Sequence, residues 1–127
     1  MSLYLDASAI TKLVVVEPES AALERVVAGK ALATSRVVVV EVTKAVARAD
    51  PGADPWGVLS RLAFVELDAD LARLAGATGG PALRALDAVH VASALRLVPE
   101  IVAFVTYDGR QADAARAAGL DVVAPTS

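Results

Sequence analysis

The chain has 127 residues, a formal net charge of −3 from 12 basic and 15 acidic side chains, and no cysteine. That length holds one domain with a real core and excludes two, the absence of cysteine excludes disulfides and thiolate metal sites, and the acidic balance excludes a polybasic nucleic-acid binder, so a nucleic acid would have to be met by a local patch or through metal ions. Hydrophobic residues reach 56%, which points to apolar surface kept for a partner, but no run approaches the ~18 residues of a membrane span and no leader-like segment opens the chain, so no membrane contact and a cytoplasmic location are expected.

Leu3, Tyr4 and Leu5 read as a short buried strand that stops at Asp6. Ser8 is placed to cap the helical run that follows, with helical spacing from Ala9 to Val16. Glu17-Pro18-Glu19-Ser20 breaks it, and Ser20 is expected to cap a second helix with Leu23, Val26 and Val27 inward, stopped by Gly29. Ala31 to Thr34 is a second strand. Ser35 to Ala49 carries two signals: the valine run favours a strand, while the spacing Val38, Val42, Ala45, Val46, Ala49 and the basic end at Lys44 and Arg48 favour a helix, which is the assignment made here.

A turn over Asp50 to Pro55 leads to a helix through Leu59 and Leu62. Ala63 to Leu67 is the third strand, and Asp68 caps a helix containing Leu71, Leu74 and Ala75. The Gly-rich link Gly76 to Pro81 is the expected mobile loop before a long helix from Leu83 to Val98. Ile101 to Thr106 is a wholly apolar fourth strand, expected to be central. Gln111 to Ala118 forms a helix ended by Gly119, and Leu120 to Val123 is the last strand. This alternation predicts an α/β fold over residues 1–127 with a parallel sheet of four to five strands.

Four acids stand in apolar settings: Asp6, Glu41, Asp87 and Asp108. Asp6 and Asp108 directly follow apolar strands, and ligands of open parallel sheets lie beyond the carboxyl ends of the strands. Each acid also has a purely structural explanation. Strand-end aspartates cap helices and turns, Glu41 can pair with Lys44, and Asp87 can pair with Arg84 or His90. His90, the only histidine, is either a ligand, base or phosphate contact, or a hydrogen-bonding helix position; Asp113 is either an outer partner of a metal or part of a solvated face. If the four acids share one cleft, their repulsion requires cations. Mg²⁺ or Mn²⁺ suit oxygen ligands, whereas one histidine and no cysteine offer almost nothing to zinc. Such a cluster suits metal-assisted phosphodiester cleavage.

The stretch Tyr4-Leu5-Asp6-Ala7-Ser8-Ala9 with Lys12, Glu41 ahead of a basic helix end, Leu86-Asp87-Ala88-Val89-His90 and Val105-Thr106-Tyr107-Asp108 resemble, in order and over nearly the whole chain, the PIN-domain nucleases, and most of all the VapC-type toxins of toxin–antitoxin pairs. The resemblance implies a three-layer α/β/α sandwich and a Mg²⁺- or Mn²⁺-dependent endoribonuclease. It implies catalytic and metal-binding roles for Asp6, Glu41, Asp87 and Asp108, with Ser8 and Thr106 in support. It also implies a homodimer and an antitoxin that blocks the cleft. Lys12, Lys44 and Arg110 flank the acids and are the expected RNA contacts, and Leu13 to Val16 and Leu23 to Val27 are the expected antitoxin surface. Gly109 and the valine run before Glu41 depart from the family pattern without removing an acid. Two other readings are a stand-alone RNA-processing nuclease and a receiver-type signalling domain; the second would want a lysine after a late strand, and the C-terminal half has none.

Overall fold

A computed structural model describes residues 2–126. Five parallel strands, β1 (Ser2–Leu5), β2 (Ala31–Ser35), β3 (Ala63–Val65), β4 (Ile101–Val105) and β5 (Val122–Val123), form one sheet in the order β3-β2-β1-β4-β5. The order reverses direction at β1. The chain first steps outward through β2 and β3, then returns to add β4 on the other side. The crevice between the carboxyl ends of β1 and β4 is therefore the topological switch point, where parallel sheets leave room for a ligand.

The helices are α1 (Ala7–Val14), α2 (Ser20–Val27), α3 (Val38–Ala49), α4 (Trp56–Leu59), α5 (Ala69–Gly76), α6 (Ala85–Arg96) and α7 (Gly109–Ala117). They divide between the two faces of the sheet because strand side chains alternate. Leu3 and Leu5 of β1, with Leu32, Ala103 and Val105, pack against Ile10 of α1, Leu23 and Val27 of α2, and Val38, Val42 and Val46 of α3. Tyr4 and Phe104 point the other way, onto Val91 and Ala94 of α6 and Ala115 of α7. Val65 joins Leu71 and Ala75 of α5 with Ala88, Val89 and Ala92 of α6. The result is the expected three-layer α/β/α sandwich.

The valine-rich segment is a helix. Val38, Val42 and Val46 form a buried stripe four residues apart, and the gain from burying that stripe outweighs the modest helix cost of β-branched residues. Two expected caps change. Asp6, not Ser8, caps α1, its carboxylate accepting from the Ala9 N–H. Glu19 holds the N-cap position of α2 without a side-chain bond, and Ser20 instead donates to the Lys12 carbonyl and accepts from the Glu17 N–H, tying α2 back to α1. Asp68 caps α5 as expected, accepting from the Leu71 N–H. β4 lies inside the sheet, but β1 is its central strand. The helix expected through Leu59 and Leu62 is one turn, and Leu62 follows it into the core.

Ile10 is fully buried beneath the first strand. Ile10→Ala is expected to cost about 2–5 kcal/mol of stability, read as a lower urea midpoint with an unchanged m-value.

Candidate active site

Asp6 follows β1 at the switch point, and its carboxylate is almost wholly buried, at 4% exposure. Ser8 Oγ donates to Asp6 Oδ1 at 2.6 Å, the Ala9 N–H donates to the same oxygen at 3.1 Å, and Thr106 Oγ1 donates to Oδ2. Each hydroxyl also accepts a main-chain N–H from the turn after β4: Ser8 from Tyr107 at 2.9 Å and Thr106 from Asp108 at 3.1 Å. A hydroxyl has one proton to give, and both are spent on Asp6. Burial pushes the Asp6 carboxyl above the usual carboxylate range, against the opposing pull of the Ser8 and Thr106 bonds. Three of the four lone-pair directions of a carboxylate are used, which leaves one on Oδ2.

Asp108 is both a helix cap and a site candidate. Its Oδ1 accepts from the N–H groups of Arg110 at 2.8 Å and Gln111 at 3.1 Å, while Oδ2 makes no hydrogen bond among the described residues. Asp87 lies in the first turn of α6, half-buried. Among the described residues its carboxylate has no hydrogen-bond or ion-pair partner, so neither expected pairing, with Arg84 or with His90, is made at contact distance. Burial raises its pKa first, and repulsion from Asp108 raises it further; Arg84 and His90 act in the opposite sense, and Asp6 adds to the rise. Asp108 and Asp6 are thus both close enough to act on Asp87. A residue that the sequence reading passed over helps to hold them: Gln111, 1% exposed, donates from Nε2 to the Asp87 carbonyl at 3.2 Å and so joins α7 to α6. Its only sequence signal was a polar residue on a core-facing helix position.

Glu41 does not pair with Lys44. His90, 2% exposed, places Nε2 2.7 Å from Glu41 Oε1 and Nδ1 2.7 Å from the Tyr4 hydroxyl. A cleft of about 690 Å³ opens above these groups, with Ser8, Glu41, Lys44, Arg48, Leu86 and Asp108 in its walls. A second cavity of about 510 Å³ lies against Asp87 on the other side, between Arg84 and Arg110, with Asp113 at its edge. The candidate RNA contacts therefore separate. Lys44 lines the first cavity and Arg110 the second. Lys12 also lines the first, but its ammonium is bonded to Glu17 at 3.3 Å and Glu19 at 3.0 Å and sits 4.9 Å from the centre of the Tyr107 ring. Asp113 is exposed and 3.8 Å from Arg116.

The donor set is all carboxylate oxygen, which in kind suits a hard divalent cation and not zinc. The mutual repulsion at Asp87 is what a cation there would relieve. In spacing the fit is incomplete: among the described residues no three acidic or histidine side chains stand together as a common metal-binding group.

Residues 3–117 match the PIN domain family model. The chain belongs to the PIN-domain family. Within it the relatives are VapC proteins. This PIN domain is 40% identical to Ribonuclease VapC35 of Mycobacterium tuberculosis over 130 residues, covering 97% of this chain and 96% of that protein. It is 38% identical to Ribonuclease VapC46 of the same species over 128 residues, covering 98% of each. In fold it is similar to the crystal structure of M. tuberculosis VapC20, described as a sarcin–ricin-loop-cleaving toxin, with a TM-score of 0.72 at 20% identity over 98% of this chain and 100% of that one. It is also similar to VapBC2 of Rickettsia felis bound to a fragment of promoter DNA, with a TM-score of 0.64 at 14% identity over 98% and 99% of the two chains. The chain is thus a PIN domain of the VapC ribonuclease group. Among the described residues no helix is long and apolar enough to cross a membrane.

The raised Asp87 carboxyl has a sign that can be checked. An unfolded aspartate titrates near ~3.9. Between that value and the raised folded one, the native state binds more protons than the unfolded state, so this group's contribution makes stability fall as pH rises through the window. Without divalent cations, Asp87→Asn is expected to raise the melting temperature at neutral pH and to flatten that part of the stability–pH curve. An unchanged curve in chelator would show that Asp87 carries no repulsion.

Proposed function

We propose that this PIN domain is a Mg²⁺- or Mn²⁺-dependent endoribonuclease acting as the toxin of a toxin–antitoxin pair. The observation that supports this reading is the pair of hydroxyls, Ser8 and Thr106, that ties Asp6 at the end of β1 to the turn carrying Asp108, with Asp87 on the neighbouring α6 joined to α7 through Gln111. Its support from outside the site is membership of a group whose curated relatives are named ribonucleases. Asp6, Asp87 and Asp108 would hold the cation, with Glu41 across the cleft. When bound, the cation supplies charge neutralisation and Lewis acidity for phosphodiester hydrolysis.

The chain's own residues do the rest. Ser8 and the Ala9 N–H saturate Oδ1 of Asp6 and Thr106 takes one lone pair of Oδ2, so the remaining lone pair has one direction in which to act. Asp108 is fixed by the first turn of α7, and Asp87 by the Gln111 bond to its main chain. Lys44 and Arg48 face the cleft and hold RNA phosphates, with Arg110 doing so on the far side of Asp87. Lys12, already neutralised by two glutamates, contributes less to binding than its position suggests.

The antitoxin surface shifts from the sequence expectation. Leu23 and Val27 are core residues and cannot receive a partner, while Val16 is 90% exposed. Val40 and Leu86, at 61% and 47% exposure, stand on the rim of the acid-lined cleft. An amphipathic antitoxin segment that covers them brings its tail to the carboxylates, where a basic side chain replaces the cation. A homodimer is part of the same proposal, as the family resemblance implies.

Purified protein is expected to cut RNA with Mg²⁺ or Mn²⁺ and to stop in EDTA. Asp6→Asn and Asp108→Asn should each lower the rate by more than the ~10–100-fold that loss of an outer partner costs at a metal site. Cutting that persists in excess chelator removes the metal from the proposal. Expression of the wild type should arrest growth and co-expression of its antitoxin should restore it; a harmless wild type that still cuts RNA favours the processing-nuclease reading.

The cation assignments predict a salt effect. Each phosphate contact on single strands contributes ~0.7 to the slope of log affinity against log salt. In binding assays with Asp6→Asn as the inactive background, Lys44→Ala with Arg48→Ala should flatten the slope by roughly 1.4, and Lys12→Ala should change it least. Equal slopes for all variants would place the RNA elsewhere.

A further inference from the structure

The buried chain Tyr4–His90–Glu41 has a use that the carboxylate site alone does not explain. We propose that Tyr4 and His90 form a hydrogen-bonded strut that fixes the imidazole as its Nε2–H tautomer and presents Glu41 to the cleft with one oxygen bound and the other unspent. His90 is then a positioning residue acting through Glu41; its consequence for cleavage rests on the ribonuclease reading, while the strut itself does not.

The argument begins with the phenol. Tyr4 is fully buried, stacked on Phe104 with ring centres 5.0 Å apart, and an ordinary phenol gives up its proton only near pH ~10. It therefore keeps its proton. The nearby hydroxyls do not take up His90: Thr34 donates to the Leu5 carbonyl and Ser93 to the Val89 carbonyl. A Tyr4 O–H donated to Nδ1 at 2.7 Å requires a bare Nδ1. The ring proton of the neutral imidazole is then on Nε2, pointing at Glu41 Oε1 at 2.7 Å. The opposite tautomer would set the Nε2 lone pair against a carboxylate oxygen at that distance. The Tyr4 hydroxyl and both His90 ring nitrogens are satisfied in the first arrangement, and among the described residues no buried side-chain polar atom lacks a partner.

The placement gives the strut its reach. Tyr4 is two residues before Asp6 on β1, and His90 is one helical turn beyond Asp87 on α6. Glu41 comes from α3, on the opposite face of the sheet. One chain of two hydrogen bonds thus sets the relative positions of the three elements that carry Asp6, Asp87 and Glu41. Without it Glu41 is a long side chain, 23% exposed, one turn from Lys44. It would be free to turn to that lysine, with which it makes no ion pair here.

The single histidine makes the test direct. Nitrogen-15 NMR of the metal-free protein at one near-neutral pH should show one imidazole with protonated Nε2 and bare Nδ1. Tyr4→Phe, which keeps the ring and its packing, should lose that pure signature. In cleavage assays Tyr4→Phe and His90→Leu should lower kcat about 10-fold or more, the range for outer partners at such sites, with KM little changed. His90→Gln, whose amide can accept from Tyr4 and donate to Glu41, should recover most of the rate. Should His90→Leu fail to fold, Tyr4→Phe and His90→Gln still decide. A protonated Nδ1 in the wild type overturns the strut whether or not RNA is cut. Wild-type kcat in Tyr4→Phe overturns the positioning role while leaving the ribonuclease reading intact. A wild type that cuts no RNA removes that reading, and the NMR result alone then decides the strut.

Discussion

The structure depends on a carboxylate placed where water scarcely reaches. Asp6 lies at the meeting of the two central strands, and an unpartnered charge there would cost several kcal/mol. Ser8 and Thr106 meet that cost, and each does so twice. The same oxygen that sends its proton to Asp6 receives a main-chain N–H from the turn after β4. The β4–α7 turn is thereby shaped around Asp6, and Asp108 stands in that turn. Two acids far apart in sequence are brought together by two hydroxyls, and the topology supplies only their neighbourhood.

That arrangement explains why the fold was more legible in the sequence than the site. The sheet strands announce themselves as apolar runs with turn signals, and the buried valine stripe of α3 was visible as a spacing of four residues. The strand-end aspartates followed from the rule for parallel sheets. What the sequence did not show was the choice among equally available partners. Glu41 had Lys44 three residues away, and Asp87 had Arg84 and His90. Local spacing favoured those pairs, but α6 is buried all round from Ala88 to Ala94, so His90 is held inside the protein, and from there it meets Glu41 of another layer. A contact across 49 residues leaves no periodic trace. Ser8 as the expected cap failed for a related reason: Asp6, at the true N-cap, offers the stronger acceptor, and Ser8 is worth more as a donor to it.

The acids also show how a protein can carry a charge cluster it does not need for folding. The Asp87 pKa is raised by burial first and by Asp108 next, and among the described residues its carboxylate lacks a partner, so its place in the structure is a standing cost. The layers of the sandwich absorb it: Leu5, Ile10, Val38, Val42 and Phe104 are all fully buried around the strands that present the acids. Local destabilisation at a site, supported by a well-packed core elsewhere, is what the proposed cation site would show.

Charge outside the cluster is arranged with the same economy. The chain is acidic overall, yet its basic side chains are not spread evenly. Lys44 and Arg48 stand on one side of the acids, and Arg84 and Arg110 on the other. Lys12 is held by Glu17 and Glu19, and Arg36 is bound to Glu66 just beyond the ends of β2 and β3. In the proposed ribonuclease reading, Lys44, Arg48, Arg84 and Arg110 border the acids on both sides, so a phosphate backbone bound between them would be held beside the carboxylates, and the net charge of −3 would discourage loose binding elsewhere.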